Sequence, residues 1–348
     1  MLIYWTLFLI PAMAAASPYR LDMASRRIMM ILTGVVLFLL IGLRDHVGQD
    51  WNNYLRIFDR ILDLDLIGVL TEAEPGYALF NYVSNIFGWG IHGVNAMCAA
   101  IFVIGLITFC RRQPNFWLTL CLAMPVLVIG VSMAGTRQAT AIGFLMLAFC
   151  AFQDRKLFRF VGFIVLGVLF HRSVAAFLLF AFFFDGRLRL WPLVIAGLAF
   201  FLLGVFVLRD AVSYYQDSYV DSDIVATGAL PRIALSLLAA GAFLYYRKRW
   251  QAWFDDGALF TLAALTILVM TLGVFNALAA TDRMLMYLLP IQVAIFARLP
   301  LFMRTHQGRR QMAVGVFGIY FAVLFVWLNF SAFAQASWVP YGNLLWLQ

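Results

Sequence analysis

The stretch that decides the fold is residues 28–54, IMMILTGVVLFLLI followed by GLRDHVGQDWNNY. Its first half is apolar, as in a helix that crosses a membrane. Its second half brings Arg44, His46 and Asp50 to the end of that helix. An ionisable side chain at that depth costs on the order of 3 kcal/mol if it faces lipid. We therefore expect these groups to face a water-filled cavity or one another.

Three later segments also place charge at the ends of apolar runs. They are GTRQA at residues 135–139, FHRS at residues 170–173 and TDRMLMY at residues 281–287. Facing lipid would be costly for these charges as well. The sequence therefore predicts that these three segments and residues 42–54 meet on one side of a membrane.

Composition defines the class of protein. The chain has 348 residues, of which 64% are hydrophobic and 12% charged, whereas a soluble domain has about 25% charged residues. This excludes an ordinary soluble protein and predicts a polytopic membrane protein. The net charge of +8 fits cytoplasmic loops and anionic lipid headgroups better than nucleic acid. The four cysteines lack metal-binding spacing, and no HExxH motif or glycine-rich phosphate loop occurs, so we expect no disulfide, metal or cofactor.

Apolar runs predict an all-α bundle of about twelve membrane spans. Residues 1–17 resemble a signal peptide but lack its basic start, so we expect them to remain as a first span. Two short runs on either side of His171 and Arg172 could be half-helices that meet there. The predicted spans are residues 2–17, 28–43, 91–110, 115–133, 138–153, 157–170, 173–184, 190–208, 231–247, 257–280, 284–299 and 311–333.

The distribution of charge between the loops gives the expected orientation. Lysine and arginine are concentrated in loops that would lie in the cytoplasm, and acids in loops on the other side, as the positive-inside rule requires. Residues 44–90 and 209–230 are then outer loops, and residues 334–348 an outer tail, of a single domain covering residues 1–348. Residues 76–90 are expected to lie along the outer interface as an amphipathic segment.

Arginines at this outer level predict an anionic ligand. The guanidinium fork binds phosphate oxygens in a bidentate way and stays charged when desolvated, and a helix starting near Gln138 would add free backbone N–H groups. The alternative is that each arginine reaches lipid phosphates or pairs with a nearby acid. A phosphate or pyrophosphate fits best, and the candidate ligands are Arg44, Arg137, Arg172 and Arg283.

Candidate acid–base groups lie in or near the same segments. Asp50 and Glu74 are the carboxylates that could act as a general base, and His171 could act as a base or orient a substrate hydroxyl. A histidine at a helix end can equally be a hydrogen-bonded structural group. The choice among the three stays open from these residues alone.

Aromatic side chains also occur on the proposed outer surface, at Trp51, Tyr54, Tyr77 and Tyr82. They could form the aromatic belt that is typical of a membrane interface. They could also provide stacking faces for sugar rings. Most other aromatic side chains are expected to face lipid or the core.

Several of these segments together resemble the EpsG-like family of exopolysaccharide polymerases, which is Wzy-like in function. The family pattern is an arginine, then Gly-x-Asp-x-x-x-Tyr, then Glu-Pro-Gly-aromatic; here GLRDHVGQDWNNYLRIF is followed by EPGYALFNYVSNIFG. The segments TRQATAIGFLMLAF, LFHRSVAAFL, DRMLMYLLP and VPYGNLL also resemble the family, in order across nearly the whole chain. Trp51, where tyrosine is more usual, and Arg172, between the histidine and the serine, are mild departures.

The resemblance implies a membrane glycosyltransferase with a GT-C-like bundle in the bacterial inner (cytoplasmic) membrane, its active site facing the periplasm. A growing glycan on undecaprenyl pyrophosphate would be transferred to a hydroxyl of a lipid-linked repeat unit, and the lipid pyrophosphate would leave. The implied partners are this lipid-linked oligosaccharide and membrane lipid. A chain-length regulator and a flippase of the same pathway are further implied partners.

The resemblance and the chemistry of this step together assign expected roles. The leaving group needs charge stabilisation and the attacking hydroxyl needs a base. The four arginines are expected to bind the pyrophosphate, with Arg137 and Arg283 the strongest candidates, and the base is Asp50, Glu74 or His171. The residues expected to bind glycan are Trp51, Tyr54, Tyr77, Gln138 and Tyr287.

Other functions would suit a similar constellation of charges. An O-antigen ligase would use the same donor but is expected to have a larger outer loop. An acyltransferase that modifies the glycan, with His171 as base, would need its acyl donor from the cytoplasm, where the loops are short. A transporter or flippase would line a pathway with charge and often shows repeated halves, which this sequence lacks. Polymerisation is the preferred prediction.

Overall fold

The computed structural model describes residues 1–19, 22–62, 64–65, 67–69, 73–184, 228–275 and 278–346, most of which are helical. The α-helices of this part are α1 (Leu2–Ala16), α2 (Met23–Gly42), α3 (Trp51–Ile61), α4 (Pro75–Ile86), α5 (Gly90–Arg111), α6 (Phe116–Ala123), α7 (Thr136–Gln153), α8 (Leu157–Val168), α9 (Ala229–Trp253), α10 (Gly257–Thr271), α11 (Leu278–Met286), α12 (Leu289–Arg298), α13 (His306–Phe330) and α14 (Ala332–Ser337).

Shorter elements connect or extend these helices. A π-helix, Met124–Ser132, continues α6. Two very short strands, β1 (Arg44–Asp45) and β2 (Gly342–Asn343), pair with each other. The 3-10 helices are Arg172–Phe183, Leu272–Phe275, Leu299–Phe302 and Leu344–Trp346.

Local sequence explains where several helices begin. The Asp22 side chain accepts hydrogen bonds from two backbone N–H groups at the start of α2. Asn115 and Thr305 cap α6 and α13 in the same way. A side-chain oxygen at this position satisfies N–H groups that have no partner within the helix. Pro75 is the first residue of α4, a position where the missing N–H of proline is not needed.

Several helices are long and apolar enough to cross a membrane, which confirms the prediction of an all-α membrane protein. Among the described residues, five satisfy this test alone, and a sixth span arises if α11 and α12, bent by 61° where they meet, are counted together. Shorter apolar helices cover residues 2–16, 116–132, 157–168 and 172–183. The count of twelve stays a prediction, and the predicted span at residues 190–208 lies outside the described residues.

Helix α7 is buried along most of its length, between α5 and α8. Its backbone approaches α5 closely at two glycines: a Cβ on Gly105 would lie 2.3 Å from the carbonyl oxygen of Gly143. Small residues allow such approach between membrane helices, which associate largely through van der Waals packing. The contact fixes the position of α7, whose first turn carries Arg137 and Gln138.

We expect Gly143→Leu to lower the melting temperature, because a Cβ there would lie 2.8 Å from the Cα of Phe102. Overpacking a well-packed interior costs about 1–3 kcal/mol. The four buried free cysteines allow unfolding in detergent to be followed with a thiol-reactive dye. Gly162→Leu is the matched control, since no packing partner among the described residues lies within 4 Å of a Cβ built at Gly162. Equal melting temperatures for the two variants would contradict the close contact.

Two of the described helices, α3 and α4, lie in the loop predicted at residues 44–90. Helix α3 is amphipathic and buries Trp51 and Tyr54 on one face, and α4 buries Tyr77. Together with part of α5 they form a second apolar cluster. The amphipathic segment predicted at residues 76–90 therefore includes α4, which packs on other helices of the protein.

A C-terminal segment holds the loop between α2 and α3. Strand β2 pairs antiparallel with β1, and the N–H of Gly48 donates to the carbonyl oxygen of Ser337 at 2.7 Å. Gly48 has a φ of +104°, and a Cβ there would lie 2.0 Å from the carbonyl oxygen of Met133, so only glycine fits. The described part of the predicted outer tail, residues 334–346, thus packs against the loop that carries Asp50.

Candidate active site

Arg137 is the central cation of the site and lies in the first turn of α7. Its Nη1 donates to Oε2 of Glu74 at 2.5 Å, and the two side chains are 27% and 12% exposed. Burial alone would raise the pKa of the Glu74 carboxyl, but the charge and hydrogen bond of Arg137 hold this pKa below its ordinary value. Glu74 is therefore ionised at neutral pH and fixes the orientation of the guanidinium.

Two adjacent tyrosine rings lie beside the Arg137 guanidinium. Its Cζ lies 5.9 Å from the ring centroid of Tyr54 and 5.8 Å from that of Tyr77, distances at which an aromatic face attracts a cation. The hydroxyl of Tyr54 also accepts a bond from the backbone N–H of Arg137 at 3.4 Å. The buried Nε of Arg137 has no hydrogen-bond acceptor among the described residues. The guanidinium is thus held in place while keeping a donor uncommitted.

His171 lies in the turn between α8 and the 3-10 helix Arg172–Phe183. Its Nδ1 is 2.7 Å from the hydroxyl oxygen of Tyr287. Burial lowers the pKa of His171; the charge of Glu74 opposes this effect and nearby arginines reinforce it. The imidazole is therefore neutral at pH 7, which leaves one ring nitrogen as an acceptor.

A close backbone contact brings Glu74 and His171 together. The N–H of Gly76 donates to the carbonyl oxygen of Leu169 at 2.8 Å. A Cβ on Gly76 would lie 2.9 Å from side-chain atoms of Leu169 and Phe170. Because glycine allows this contact, the start of α4 and the end of α8 place the two candidate acid–base groups within electrostatic reach of each other.

Asp50 immediately precedes α3 and is half-buried. Burial raises the pKa of its carboxyl, and the charges of Arg283 and Arg137 oppose that rise. Both arginines therefore act on this carboxylate, although they belong to different helices. A raised pKa also makes a carboxylate a stronger proton acceptor.

Arg283 enters the site from α11. The Gln138 side chain donates through Nε2 to the backbone oxygen of Arg283 at 2.9 Å, which ties α11 to the start of α7. The chain then breaks at Tyr287, where α11 and α12 meet. Arg172 is exposed at the first position of its 3-10 helix, and its charge also lowers the pKa of His171. The structure thus gathers residues from segments that are far apart in sequence.

The four aromatic rings predicted to bind glycan are covered in this structure. Trp51 and Tyr54 are 5% and 4% exposed, and Tyr77 and Tyr287 are fully buried. Tyr54 and Tyr77 lie next to the Arg137 guanidinium, and Tyr287 contacts His171. Stacking of these rings on a sugar stays a prediction. Gln138, the other residue predicted to bind glycan, is partly exposed at the edge of the site.

Arg44 does not join this cluster, although the sequence predicts it as a pyrophosphate ligand. It is 1% exposed, and its guanidinium donates to Oγ1 of Thr136 at 2.7 Å and towards Asn95. Its other acceptors are the backbone oxygens of Ile41, Val47 and Met133. Through these hydrogen bonds the Arg44 guanidinium joins the end of α2 to the start of α7. We therefore assign Arg44 a structural role and leave it out of the proposed phosphate-binding set.

We expect Arg44→Lys to destabilise the protein, because an ammonium group cannot reach the acceptors that the guanidinium fork joins. Leaving a buried polar group unsatisfied costs about 1–3 kcal/mol. The melting temperature in detergent measures this loss. The KM of the folded fraction for lipid-linked substrate should stay near that of the wild type. A raised KM at unchanged melting temperature would instead place Arg44 at the ligand.

Two further sets of side chains pair with one another, and the sequence predicted neither pairing. The carboxylate of Asp282 accepts two bonds from Arg232 of α9, at 2.9 and 2.5 Å. The carboxylate of Asp45 lies 2.6 Å from Nδ1 of His46 and 2.9 Å from Nε2 of His92. The only signal for Arg232 was a charge within the apolar run of a predicted span.

The part of the chain that the structure describes contains no group of three or more His, Cys, Asp or Glu placed to hold a metal ion.

Fold and site together define an all-α membrane protein that gathers arginines, carboxylates and tyrosines around the start of one buried helix. The chain belongs to the EpsG family, whose model matches residues 27–343, nearly the whole sequence. EpsG is a polysaccharide polymerase family, so lipid-linked oligosaccharides are its general class of substrate. No curated protein and no solved structure gives a significant match to the chain. Family membership is confirmed, and the GT-C-like bundle stays a prediction.

Proposed function

We propose that the chain is a Wzy-type polymerase that transfers a glycan from undecaprenyl pyrophosphate to a hydroxyl of a lipid-linked repeat unit. The observation that carries the proposal is the Arg137 guanidinium, which Glu74 holds next to two tyrosine rings and near Asp50 and His171. This arrangement offers a fixed cation to a leaving phosphate and a carboxylate to an attacking hydroxyl. Membership of a polysaccharide polymerase family supports the same reaction class.

Arg137 and Arg283 are the proposed ligands of the pyrophosphate, and Arg172 is an exposed third cation beside them. The phosphate oxygen gains negative charge as its bond to the anomeric carbon breaks. Cations that are already in position stabilise this charge more strongly in the transition state than in the bound substrate. Arg137 is the better positioned of the first two, because Glu74 and both tyrosines restrict its movement.

Asp50 is the proposed general base. Glu74 commits a carboxylate oxygen to Arg137 and has a lowered pKa, and His171 has a lowered pKa and contacts Tyr287. Asp50 differs from both, because its pKa is raised, which is the direction that strengthens a proton acceptor. In the proposed step the acceptor hydroxyl gives its proton to Asp50 while its oxygen bonds to the anomeric carbon. The bond from that carbon to the phosphate oxygen breaks, and its electron pair leaves with the pyrophosphate.

The proposed orientation places this site on the periplasmic face of the bacterial inner membrane. The other ends of the same helices carry exposed basic residues, among them Arg111, Lys156 and Lys248. Positive charge concentrates on the cytoplasmic side of membrane proteins. In this orientation the donor and acceptor would both enter from the outer leaflet, and Gln138 at the edge of the site is the proposed glycan contact.

The experiment that tests the function uses purified protein in nanodiscs, supplied with lipid-pyrophosphate-linked repeat units. The expected result is a ladder of glycan lengths, which is absent with Arg137→Ala. The same repeat unit on a lipid monophosphate is the substrate control and should give no ladder. Transfer of the glycan to a different acceptor without a ladder would instead support a ligase.

A lipid-linked glycan transporter is the second candidate, because the break between α11 and α12 resembles the interrupted helices of transporters. Reconstituted vesicles distinguish the two functions. Movement of labelled lipid-linked repeat units across the vesicle membrane, with no change in glycan length, would support transport and contradict polymerisation.

A further inference from the structure

A second polar site lies at the opposite end of α9 from the candidate active site. Arg232, near the start of α9, pairs with Asp282, whereas Arg249 lies near the end of this helix. At 1.5 Å per residue the two are roughly 25 Å apart, close to the thickness of the hydrocarbon layer of a membrane. A cavity of about 470 Å³ opens beside Arg249. It therefore faces the leaflet opposite the candidate active site.

The wall of this cavity is strongly basic. It includes Lys248, Arg249 and Arg304. None of the described residues that line the cavity is acidic. The nearby carboxylate of Asp256 is committed elsewhere, since both of its oxygens accept bonds from Arg298, at 3.0 and 2.8 Å. Three cations around one opening create a positive potential that favours an anionic ligand.

Aromatic rings give the cavity a fixed wall. Tyr246 stacks on Phe302, with ring centroids 5.3 Å apart and an interplanar angle of 11°. Arg249 donates through Nη1 to the backbone oxygen of Phe302 at 2.8 Å. Tyr245, which also lines the cavity, is 81% exposed. Tyrosines next to arginine and lysine are typical of the level of lipid headgroups.

The position of the cavity along the helices decides which phosphate compound fits. It lies where the apolar part of α9 gives way to the basic sequence RKR at residues 247–249, and just before the start of α13. Both α9 and α13 are candidate membrane spans, so their ends lie at the headgroup level. A ligand with a charged head and apolar tails can fill the cavity while its tails stay in the bilayer.

We propose that this cavity binds the headgroup phosphate of an anionic glycerophospholipid from the leaflet opposite the candidate active site. Lys248 and Arg304 contact the phosphate, Arg249 supports one side, and Tyr245 and Tyr246 lie along the glycerol region. Basic pockets between membrane helices recognise anionic headgroups by this combination of charge and shape. The site does not depend on the proposed polymerase reaction.

Lipid retention measured by native mass spectrometry tests the proposal. Full-length protein is exchanged into detergent containing equal amounts of phosphatidylglycerol and phosphatidylcholine. Retention of phosphatidylglycerol should exceed that of phosphatidylcholine, and Lys248→Gln with Arg304→Gln should reduce this preference by about fivefold for each cation removed. Arg111→Gln with Arg159→Gln is the matched control, because both are exposed and lie at the same end of the bundle, outside the cavity. The control should keep the preference of the wild type.

Three outcomes would overturn the proposal. They are equal retention of the two lipids by the wild type, equal loss of preference in both double variants, and displacement of phosphatidylglycerol by an equal concentration of soluble glycerol 3-phosphate. Displacement by glycerol 3-phosphate would assign the cavity to a soluble phosphate ester. The displacement experiment uses wild-type protein, so the proposal stays testable even if the double variant fails to fold.

Discussion

Arg137→Lys should lower kcat for glycan polymerisation by about 10²–10³-fold, the loss typical of removing one preorganised donor to a developing negative charge. Lysine keeps the charge but lacks the planar fork. In the structure one Nη group of Arg137 is committed to Glu74, so a phosphate must be bound by other donors of the same guanidinium. A single ammonium group cannot keep both partners in position. Turnover with lipid-linked repeat units in nanodiscs measures the effect.

Arg112→Lys is the matched control for this substitution. Arg112 also forms an ion pair, with bonds of 2.6 and 2.8 Å to Asp154, and its side chain is 31% exposed, but it lies at the other end of the helices. It should lose no more than a small part of the activity. Wild-type turnover of Arg137→Lys would remove Arg137 from the site, and equal losses in the two variants would indicate a general effect of weakened ion pairs.

Asp50→Asn should abolish measurable turnover, with a loss of about 10²–10⁴-fold, because an amide cannot accept the proton of the attacking hydroxyl. The melting temperature should change little, since no hydrogen bond from the Asp50 side chain caps α3. Asp59→Asn, an exposed aspartate on the same helix, is the control and should remain active. An active Asp50→Asn variant would return the choice of base to Glu74 or His171.

The pH dependence of kcat gives an independent test of Asp50. The base acts in its deprotonated form, so activity should rise with pH through the pKa of the Asp50 carboxyl. Burial raises this pKa, which places the acid limb above the ordinary range of an aspartate, about 3.9. An acid limb below about 3.9 would contradict Asp50 as the base and would fit Glu74, whose pKa Arg137 lowers.

The sequence predicts the class of fold and much of the candidate site for one physical reason. A charge at the end of an apolar run is costly unless it meets a partner or water, so segments with such charges are expected to meet. Arg137 and Arg283 do lie within electrostatic reach of both Asp50 and His171. Their roles in binding and catalysis stay predictions.

Arg44 illustrates what this reasoning cannot predict, which is the kind of partner that a charge meets. The rule that predicts partners for a charge does not say whether the partner is a ligand, a carboxylate or a set of backbone oxygens. For Arg44 the partners are mainly backbone oxygens, and their availability depends on how α2 ends against the residues before α7. The pair of Arg232 and Asp282 was missed for a similar reason, because it joins helices whose contact no local pattern specifies.

The pairing of β1 with β2 has a consequence for biosynthesis. Nδ2 of Asn343 donates to the carbonyl oxygen of Leu39, 304 residues earlier in the chain, and Ser337 holds Gly48 in the same region. The ribosome makes the Asp50 loop early and the segment that fixes it late. A nascent chain can therefore insert its first helices into the membrane long before the Asp50 loop has the segment that holds it. Residues 337–343 must therefore be made before this loop can reach the arrangement seen in the structure.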